Sequence, residues 1–519
     1  MTAADRDHAL DHVVVVMFEN RSFDNLLGRL YEPGDVASFE GVSGKNLSNP
    51  IPDWAEHRND RHHVPYGIAE TMDTPNPDPG EEYQHVNTQL YGVIDPAANR
   101  GLPAEDMAAP FNTPPPGHTP TMDGFVTDYI SAFNAETGRQ PKYHEYAQIM
   151  AGYTPEQLPV LSALARGFAT FDHWFAEVPS QTFTNRSFFH AASASGFVVN
   201  APYRTFPLHN DAETVFERLE AAGLTWRVYV DPPSPLPFTG LIHSPRLRER
   251  FATHFVTTHR FLEDAAAGTL PAYSFIEPNL WHGHNDMHPP ESAVLHGIPF
   301  DMPSSLLGGE ALLATVYDAV RTSDSPTGSN ALNTLLMVVF DEHGGTYDHV
   351  PPPSAVPPDP DAPPGQMGFA FDRLGVRLPA IAISAWLPAR TLVNDVHHHT
   401  SLIRTLRERW NLGPPLTRRD AHAPDLARLL TLEHPREPQD WPHVTARSVP
   451  AFDQDLIPPD TPLNPLATAL FHGFLTLARQ LGATIPTTDE TTPPNGREAI
   501  AIVHESAHTL FPGLRPPTG

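Results

Sequence analysis

The chain has 519 residues, which allows one large α/β domain with insertions or two to three smaller domains, and we expect one dominant domain. It contains no cysteine, which excludes disulfides, thiolate nucleophiles and cysteine-ligated metal sites. The formal net charge of −28 argues against nucleic acid or an anionic membrane surface as a partner, because the field of the protein repels polyphosphates.

The N-terminal segment MTAADRDHAL is polar and has neither the basic nor the apolar region of a signal peptide. No apolar run approaches the ~20 residues that a membrane span needs. We therefore expect a cytoplasmic protein without an integral membrane segment. The sequence leaves the oligomeric state open.

Two chelating side chains follow the first predicted strand. Residues 13–17 form an uninterrupted apolar run, and Glu19 and Asn20 stand just beyond its end. The alternative is that Asn20 or Ser22 caps the helix that follows. Between about residues 30 and 120 the sequence shows little periodicity and many Pro, Gly, Asp and His residues, which predicts a long loop insertion.

Three hydroxyl groups occupy the turn before the small-residue helix that we predict at residues 187–195. Ser180, Thr182 and Thr184 all stand where a nucleophile can be presented to an anion-binding helix N-terminus. An ordinary helix cap explains the same residues equally well. The turn alone does not choose among the three.

Three histidines and one aspartate lie within seven residues after a strand predicted at 273–276: His282, His284, Asp286 and His288. By composition they fit a zinc site. Solvated loop histidines are the commoner explanation for such a cluster.

Residues 335–340 form the most prominent strand signal, six apolar residues without a polar break. This pattern is typical of a strand buried on both faces of a mostly parallel sheet. The run ends in Asp341, Glu342 and His343, followed by two glycines. Acidic and imidazole groups at the carboxyl end of a buried strand are the usual layout of an α/β active site. The alternative is a polar turn.

Helices and strands alternate along the chain, which predicts an α/β fold. We expect a mostly parallel central sheet with helices on both faces and long proline-rich loops. Residues 1–445 should form this domain, and residues 446–519 a helical C-terminal appendage. The predicted helices are 126–134, 158–165, 187–195, 212–222, 310–322, 402–410 with Thr400 or Ser401 as its cap, 463–481 and 497–510, and further strands are 224–230 and 380–384.

Six motifs follow one another in a fixed order: ENRSFD at 19–24, Val178-Pro179 with Thr182 and Asn185-Arg186, Asn285-Asp286 with His288-Pro289-Pro290, DEHGG at 341–345, YDHVP at 347–351, and His399-Thr400-Ser401. Taken together and in this order, the motifs resemble a phosphoesterase family that contains non-specific phospholipases C and an acid phosphatase, within the alkaline phosphatase-like superfamily. The resemblance spans roughly residues 11–412 and implies an alkaline phosphatase-like fold.

The resemblance also implies site roles. By this resemblance, Thr182 occupies the position of the family's nucleophile. His288 and His349 occupy positions that contact the phosphate or the leaving group. Oxygen-rich ligands favour Ca²⁺, Mg²⁺ or Mn²⁺, although the wider superfamily often uses zinc, so the identity of the divalent metal stays open. The implied metal ligands are Glu19, Asn20, Thr182, Asp341 and Glu342.

The expected chemistry is in-line attack by Thr182, which gives a phosphothreonine intermediate that water hydrolyses. Asn185 and Arg186 would donate hydrogen bonds to the phosphoryl oxygens. His349 or His288 would protonate the leaving oxygen.

Two positions depart from the family pattern. Many relatives have Asp-Pro-Gly-His where this chain has Asp78-Pro79-Gly80-Glu81, and a proline where Thr184 stands. Glu81 is therefore predicted to lie at the substrate. It could bind a second cation, face a cationic group of the substrate, or be protonated and act as a general acid. His85 is a candidate replacement for the missing histidine.

The predicted function is that of a metal-dependent phosphoesterase that acts on a small phosphomonoester or on a phospholipid head-group. A sulfatase or phosphonate hydrolase is the enzymatic alternative. A non-catalytic metal- or phosphate-binding protein is the alternative from another class.

Overall fold

The computed structural model describes residues 5–58, 61–115, 117–200, 205–234, 236–280, 284–290, 293–295, 298–300, 305–450, 465–480 and separate residues between 482 and 514. Its centre is a nine-stranded sheet. In chain order its strands are β1 His12–Phe18, β2 Ala169–Phe175, β3 Trp226–Val230, β4 Phe255–Thr257, β5 Tyr273–Glu277, β6 Thr334–Phe340, β7 Arg377–Ile383, β8 Thr391–Val393 and β9 His397–His398.

The strands lie in the order β8-β2-β7-β6-β1-β5-β3-β4, and β9 also pairs with β2. Strand β1 is parallel to both of its neighbours, β6 and β5, and β3 is parallel to β5 and β4. Strand β7 runs antiparallel to β6 and β2. The predicted mostly parallel sheet is confirmed, and the carboxyl ends of β1 and β6 meet at one edge.

The two central strands are held by side-chain burial. Every residue of β6 is buried, as is every residue of β1 except His12. Because successive side chains of a strand point to opposite faces, this burial means that both faces of the sheet are covered. The register places Phe18 opposite Phe340, so the residues that follow both strands start level with each other.

Helices connect the strands and cover the sheet. They are α1 Phe23–Leu26, α2 Tyr83–Tyr91, α3 Phe125–Thr137, α4 Tyr143–Tyr146, α5 Pro159–Gly167, α6 Thr182–Ala191, α7 Phe206–His209, α8 Val215–Ala221, α9 Phe238–Ile242, α10 Ser244–Leu247, α11 Phe251–His254, α12 Thr258–Ala267, α13 Ser305–Arg321, α14 Thr400–Trp410, α15 Arg418–His422 and α16 Pro465–Gln480. Short strand pairs outside the main sheet are Ser48–Pro50 with His63–Pro65, Gly67–Ile68 with Ala151–Gly152, and Ala293–Leu295 with Ile298–Phe300.

Several predicted boundaries need correction. Helix α6 begins at Thr182 instead of residue 187, and α2, β4 and α12 were not predicted. Helix α2 has few apolar residues, yet all but its last residue are buried, so hydrophobic periodicity could not reveal it.

The predicted cap of α14 is also wrong, because the helix begins at Thr400 after His399. The two hydroxyls contact His398 instead. Ser22 does cap α1, by accepting a hydrogen bond from the Asn25 N–H at 3.2 Å.

The C-terminal region contributes to the main core. Phe474 and Leu475 of α16 are buried in the same hydrophobic cluster as the central strands. Most of the helix predicted at 497–510 lies outside the described residues. Among the helices that the structure does describe, none combines the length and the apolar character needed to cross a membrane.

Candidate active site

Glu19 and Asn20 follow β1, and Asp341 and Glu342 follow β6, so the parallel pairing of these strands brings the four side chains together. The Asn20 N–H donates to Asp341 Oδ1 at 3.2 Å, and the Glu342 N–H donates to the same oxygen at 2.7 Å. All four side chains are buried. The structure thus brings together the carboxylates and the amide that the family resemblance implies as metal ligands.

The backbone of both turns is adapted to this close approach. Asn20 has a φ of 58°, in the left-handed region that asparagine tolerates better than most residues. Gly344 has a φ of 56°, and a Cβ atom on it would clash with the main chain and side chain of Asn20. A glycine at 344 is therefore required for the two strand ends to touch.

Arg186 lies between the two acidic turns. Its Nη2 donates to Glu19 Oε1 at 2.9 Å, and its Nε donates to Asp341 Oδ2 at 3.1 Å. Burial alone would lower the pKa of the guanidinium, but the two carboxylates raise it. Nη1 is buried and has no hydrogen-bond partner among the described residues, so it is available to an anionic ligand.

Thr182 is the first residue of α6 and stands four residues before Arg186, in the i, i+4 relation that places two side chains on one face of a helix. Its side chain is 3% exposed. The preceding Gln181 donates from Nε2 to Glu81 Oε1 at 3.3 Å. Gln181, just before Thr182, and Arg186, four residues after it, therefore both contact the acidic cluster, at the positive end of a ten-residue helix.

The other residues of this turn have structural contacts. Asn185 accepts a hydrogen bond from the Val178 N–H at 3.0 Å and donates to the main-chain oxygen of Ser180 at 2.7 Å. Thr184 donates to the main-chain oxygen of Phe197 at 2.8 Å. The amide of Asn185 thus holds the turn in shape, and its contact with substrate stays a prediction.

Glu81 reaches the cluster from the insertion. It is 8% exposed, and its Oε2 accepts a hydrogen bond from the Asn20 amide. Burial raises its pKa well above the usual value, and the nearby charge of Glu342 adds to that rise. The loop can come this close because Gly345 lacks a side chain: a Cβ atom there would lie 2.6 Å from the oxygen of Gly80.

His288 belongs to the same cluster. Its Nδ1 lies 2.7 Å from the main-chain oxygen of Pro289, an acceptor, so Nδ1 carries the proton. Its Nε2 lies 2.8 Å from the Asn20 amide nitrogen and accepts that hydrogen bond. Burial lowers the pKa of His288 to about 4, which keeps the ring neutral near pH 7.

The remaining predicted histidines lie elsewhere. His85 is buried, and its Nδ1 pairs with Asp128 Oδ1 at 2.8 Å. Burial opposes the charge on His85, but Asp128 outweighs it and raises the pKa to about 9. The ring packs against Gly80, so it supports the loop that carries Glu81. Its contact with substrate stays a prediction.

His349 lies in a second cluster. Its Nδ1 pairs with Asp24 Oδ2 at 2.6 Å, and its Nε2 lies 2.9 Å from Glu40 and 2.6 Å from Lys45 Nζ. Asp24 pairs in turn with the buried Arg377. None of these described contacts links His349 to the ligands after β1 and β6, and its catalytic role stays a prediction.

Two contributors to the site were not predicted. Gln181 had no sequence signal, because a glutamine in a turn is common. His399 belongs to one of the motifs that carry the family resemblance, but no role in the site was predicted for it. Its Nε2 donates to the main-chain oxygen of Asp341 at 2.7 Å, and its Nδ1 accepts from Trp174 Nε1 at 3.3 Å.

The cluster has the properties of a site for a hard divalent cation. It buries four carboxyl groups beside one paired arginine, and burial raises the pKa of each carboxyl group. Two buried oxygens, Asn20 Oδ1 and Glu342 Oε1, have no hydrogen-bond partner among the described residues. Carboxylate and amide oxygens are the ligands that Ca²⁺, Mg²⁺ and Mn²⁺ prefer. The carboxylates of Glu19, Asp341 and Glu342 and the amide oxygen of Asn20 therefore fit the predicted metal, and Glu81 lies beside them.

Comparison with known proteins agrees with this geometry. The profile of the phosphoesterase family matches residues 10–413. Non-specific phospholipase C3 of Arabidopsis thaliana is 32% identical over 444 residues, which cover 82% of this chain and 74% of that protein. Phospholipase C B of Mycobacterium tuberculosis H37Rv is 26% identical over 473 residues, which cover 83% of this chain and 79% of that protein.

Among solved structures, a phosphonate monoester hydrolase of Agrobacterium radiobacter is similar with a TM-score of 0.29 and 12% identity, over 55% of this chain and 74% of that chain. The family match covers most of the chain, and it includes every predicted ligand, from Glu19 to Glu342. The resemblance seen in the sequence is thereby confirmed. The chain belongs to the phosphoesterase family and is a phosphoric ester hydrolase.

Proposed function

We propose that this enzyme is a metal-dependent phosphodiesterase of the phospholipase C type, with Thr182 as its nucleophile. The observation that carries the proposal is the pair of unsatisfied buried oxygens on Asn20 and Glu342, next to the start of the helix that bears Thr182. Relatives at 29–32% identity are named non-specific phospholipases C, which supports a phospholipid head-group as the substrate.

In the proposed reaction the Thr182 oxygen attacks phosphorus, and the bond from phosphorus to the leaving alcohol oxygen breaks. The alcohol leaves with a proton, and the phosphoryl group with its head-group stays on Thr182. Water then attacks phosphorus and releases the phosphate monoester, which restores the threonine.

The surrounding side chains would position the phosphoryl group. Glu19, Asn20, Asp341 and Glu342 would hold the divalent cation, which supplies charge neutralisation at the phosphoryl oxygens and lowers the pKa of the hydroxyl. Arg186 would donate from Nη1 to a phosphoryl oxygen. Its pairing with Glu19 and Asp341 would keep this group in place before substrate binds.

Assays on three chromogenic substrates test the function: bis-p-nitrophenyl phosphate, p-nitrophenyl phosphate and p-nitrophenyl sulfate, each with and without a chelator. We expect turnover of the diester that the chelator abolishes and added divalent metal restores. Turnover of the monoester alone would favour a phosphatase, and turnover of the sulfate a sulfatase. No turnover of any substrate by protein that holds metal would favour a binding protein.

Substitution at position 182 tests the nucleophile. Thr182→Ala should lower kcat by several orders of magnitude with the fold intact, and Thr182→Ser should retain part of the activity because it keeps a hydroxyl. Ser180→Ala and Thr184→Ala are the matched controls, two residues away on either side. A near wild-type rate in Thr182→Ala, with loss in either control, would move the nucleophile by two residues.

A further inference from the structure

Glu277 is a buried carboxyl group near the site that the proposed reaction does not use. It is the last residue of β5 and is 1% exposed. Strand β5 is parallel to β1 and pairs with it, so Glu277 comes to the same edge of the sheet as Glu19. Its charge is also among those that raise the pKa of Arg186. A buried carboxylate is costly without partners, and here the partners indicate its role.

Both oxygens of Glu277 hold the start of α9. Oε2 accepts from the Phe238 N–H at 2.8 Å, and Oε1 accepts from the Thr239 N–H at 2.6 Å. The first N–H groups of a helix have no partner within the helix, and Pro237, which precedes α9, provides no side-chain cap. Glu277 therefore fixes the start of this helix relative to the sheet.

Helix α9 is confined by packing as well. Gly240, in the middle of the helix, lies against Phe511, because a Cβ atom on this glycine would be 3.0 Å from the Phe511 ring. Phe511 is itself buried, at 1% exposure. The helix is thus held by the sheet at its start and by the C-terminal region at its middle.

Phe238, the first residue of α9, lies against Arg186. The Cζ atom of the arginine lies over the Phe238 ring, 5.4 Å from the centroid of the ring. Both residues are buried. The face of an aromatic ring attracts a cation, and this attraction is stronger where water is excluded.

These contacts leave one nitrogen of the guanidinium for a ligand. Nη2 donates to Glu19 and Nε to Asp341, and Nη1 has no hydrogen-bond partner among the described residues. The two carboxylates fix one edge of the guanidinium, and the ring of Phe238 restricts rotation about that edge. Nη1 is therefore held in one direction before a phosphoryl group binds.

We propose that Glu277 is a positioning residue for Arg186: it fixes the start of α9, and Phe238 in turn holds the guanidinium with Nη1 directed at the phosphoryl group. The inference deepens the proposed function and rests on it. Without Glu277 the ring and the guanidinium would be free to shift, and misplacement by about 1 Å can cost about 100-fold in rate.

Glu310 provides a matched control, because it makes the same kind of contact elsewhere. It is fully buried, and its Oε2 and Oε1 accept from the N–H groups of Val160 at 2.8 Å and Leu161 at 2.7 Å, at the start of α5. None of the hydrogen bonds described for Glu310 involves Arg186 or a proposed metal ligand. Glutamine at either position leaves one helix N–H without its acceptor, so the two variants should lose similar stability.

Two measurements on the metal-loaded, full-length enzyme test this role: kinetics on bis-p-nitrophenyl phosphate and the calorimetric affinity for inorganic phosphate. We expect Glu277→Gln and Phe238→Leu to lower kcat/KM and phosphate affinity by about tenfold or more, and Glu310→Gln to change them by less than about twofold. Phe238→Tyr should retain most of both, because it keeps the ring. In an Arg186→Lys background, Glu277→Gln should have little further effect, because lysine has no planar group to orient.

The outcomes separate this inference from the proposed function. Equal kinetics in Glu277→Gln and Glu310→Gln, with turnover in the wild type, would overturn the positioning role and leave the proposed function standing. Additive losses in the double variant would also overturn it, since Glu277 would then act independently of Arg186. If melting curves show that Glu277→Gln does not fold, Phe238→Leu decides, and wild-type values in that variant would overturn the role. A wild type that binds phosphate without hydrolysing the diester, with affinity lost in Glu277→Gln and kept in Glu310→Gln, would overturn the proposed function and support the positioning role.

Discussion

Arg377 connects three parts of the chain next to the cluster of His349, Asp24 and Glu40. It is the first residue of β7, is fully buried, and pairs with Asp24 at 2.8 Å and with Asp348 at 3.1 Å. Its Nη1 donates to the main-chain oxygens of Glu40 and Asp172, both at 2.8 Å. Methionine at this position would keep much of the volume but remove the cation that Asp24 and Asp348 share, which leaves Asp24 with only His349 as an ion-pair partner. Loss of one partner from such a buried pair typically costs about 3–5 kcal/mol.

Urea unfolding, followed by circular dichroism and tryptophan fluorescence, measures this effect. We expect the free energy of unfolding to fall by about 3–5 kcal/mol in Arg377→Met, and by less in Arg377→Lys, which restores the charge without the planar fork. Arg428 is the control, because it pairs with Asp395 at the surface and is 48% exposed. Arg428→Met should change stability by about 0.5 kcal/mol at most. A loss below about 1 kcal/mol in Arg377→Met would refute the reasoning.

Two further predictions concern the metal and the ion pair between His349 and Asp24. Asp341→Asn and Glu19→Gln should each lower the metal content, because loss of an anionic ligand weakens the binding of a hard cation; unchanged content in both by ICP-MS would place the metal elsewhere. Burial lowers the pKa of His349, but the hydrogen bond and charge of Asp24 outweigh it and hold the pKa above its usual value. The stabilisation from this ion pair is therefore complete below about pH 6.5 and is lost as the pH rises through the raised pKa. The difference in unfolding free energy between the wild type and His349→Asn should shrink as the pH rises above about 6.5, and a constant difference would contradict the pairing.

The sequence patterns placed polar residues at the ends of two predicted strands, and the family resemblance implied that these residues bind metal. The apolar runs before Glu19 and Asp341 indicated two buried strands, and parallel neighbours bring their carboxyl ends to one edge. The adjacency of β1 and β6 then follows from the fold.

Side-chain partners could not be predicted in the same way, because they depend on contacts between distant segments. Asn185 uses its amide on its own turn, and Arg186 pairs with two carboxylates. His349 follows the central motif in sequence, yet Asp24 and Arg377 hold it in a separate ion network. Nothing in the local sequence distinguishes a histidine that faces a substrate from one that closes such a network.

Strand β7 was predicted as a strand but not as an antiparallel one. Its reversed direction places its amino end at the edge where the parallel strands have their carboxyl ends. That reversal is why Arg377, at the start of a strand, meets Asp348, which follows one. Direction is set by the connections across the sheet, and the residues of a strand do not encode it.

The pairing of β1 with β6 determines when the metal ligands can meet during synthesis. Asn20 and Asp341, which share a hydrogen bond, are 321 residues apart in the chain. At about 5–20 residues per second, roughly 16–64 s pass on the ribosome between them. Contacts at such separation also form late in folding, since the entropy of closing the loop must be lost before they stabilise anything. A nascent chain therefore carries only half of the ligand set until Glu342 has been added, and shorter products of synthesis or proteolysis should be unable to assemble the metal site.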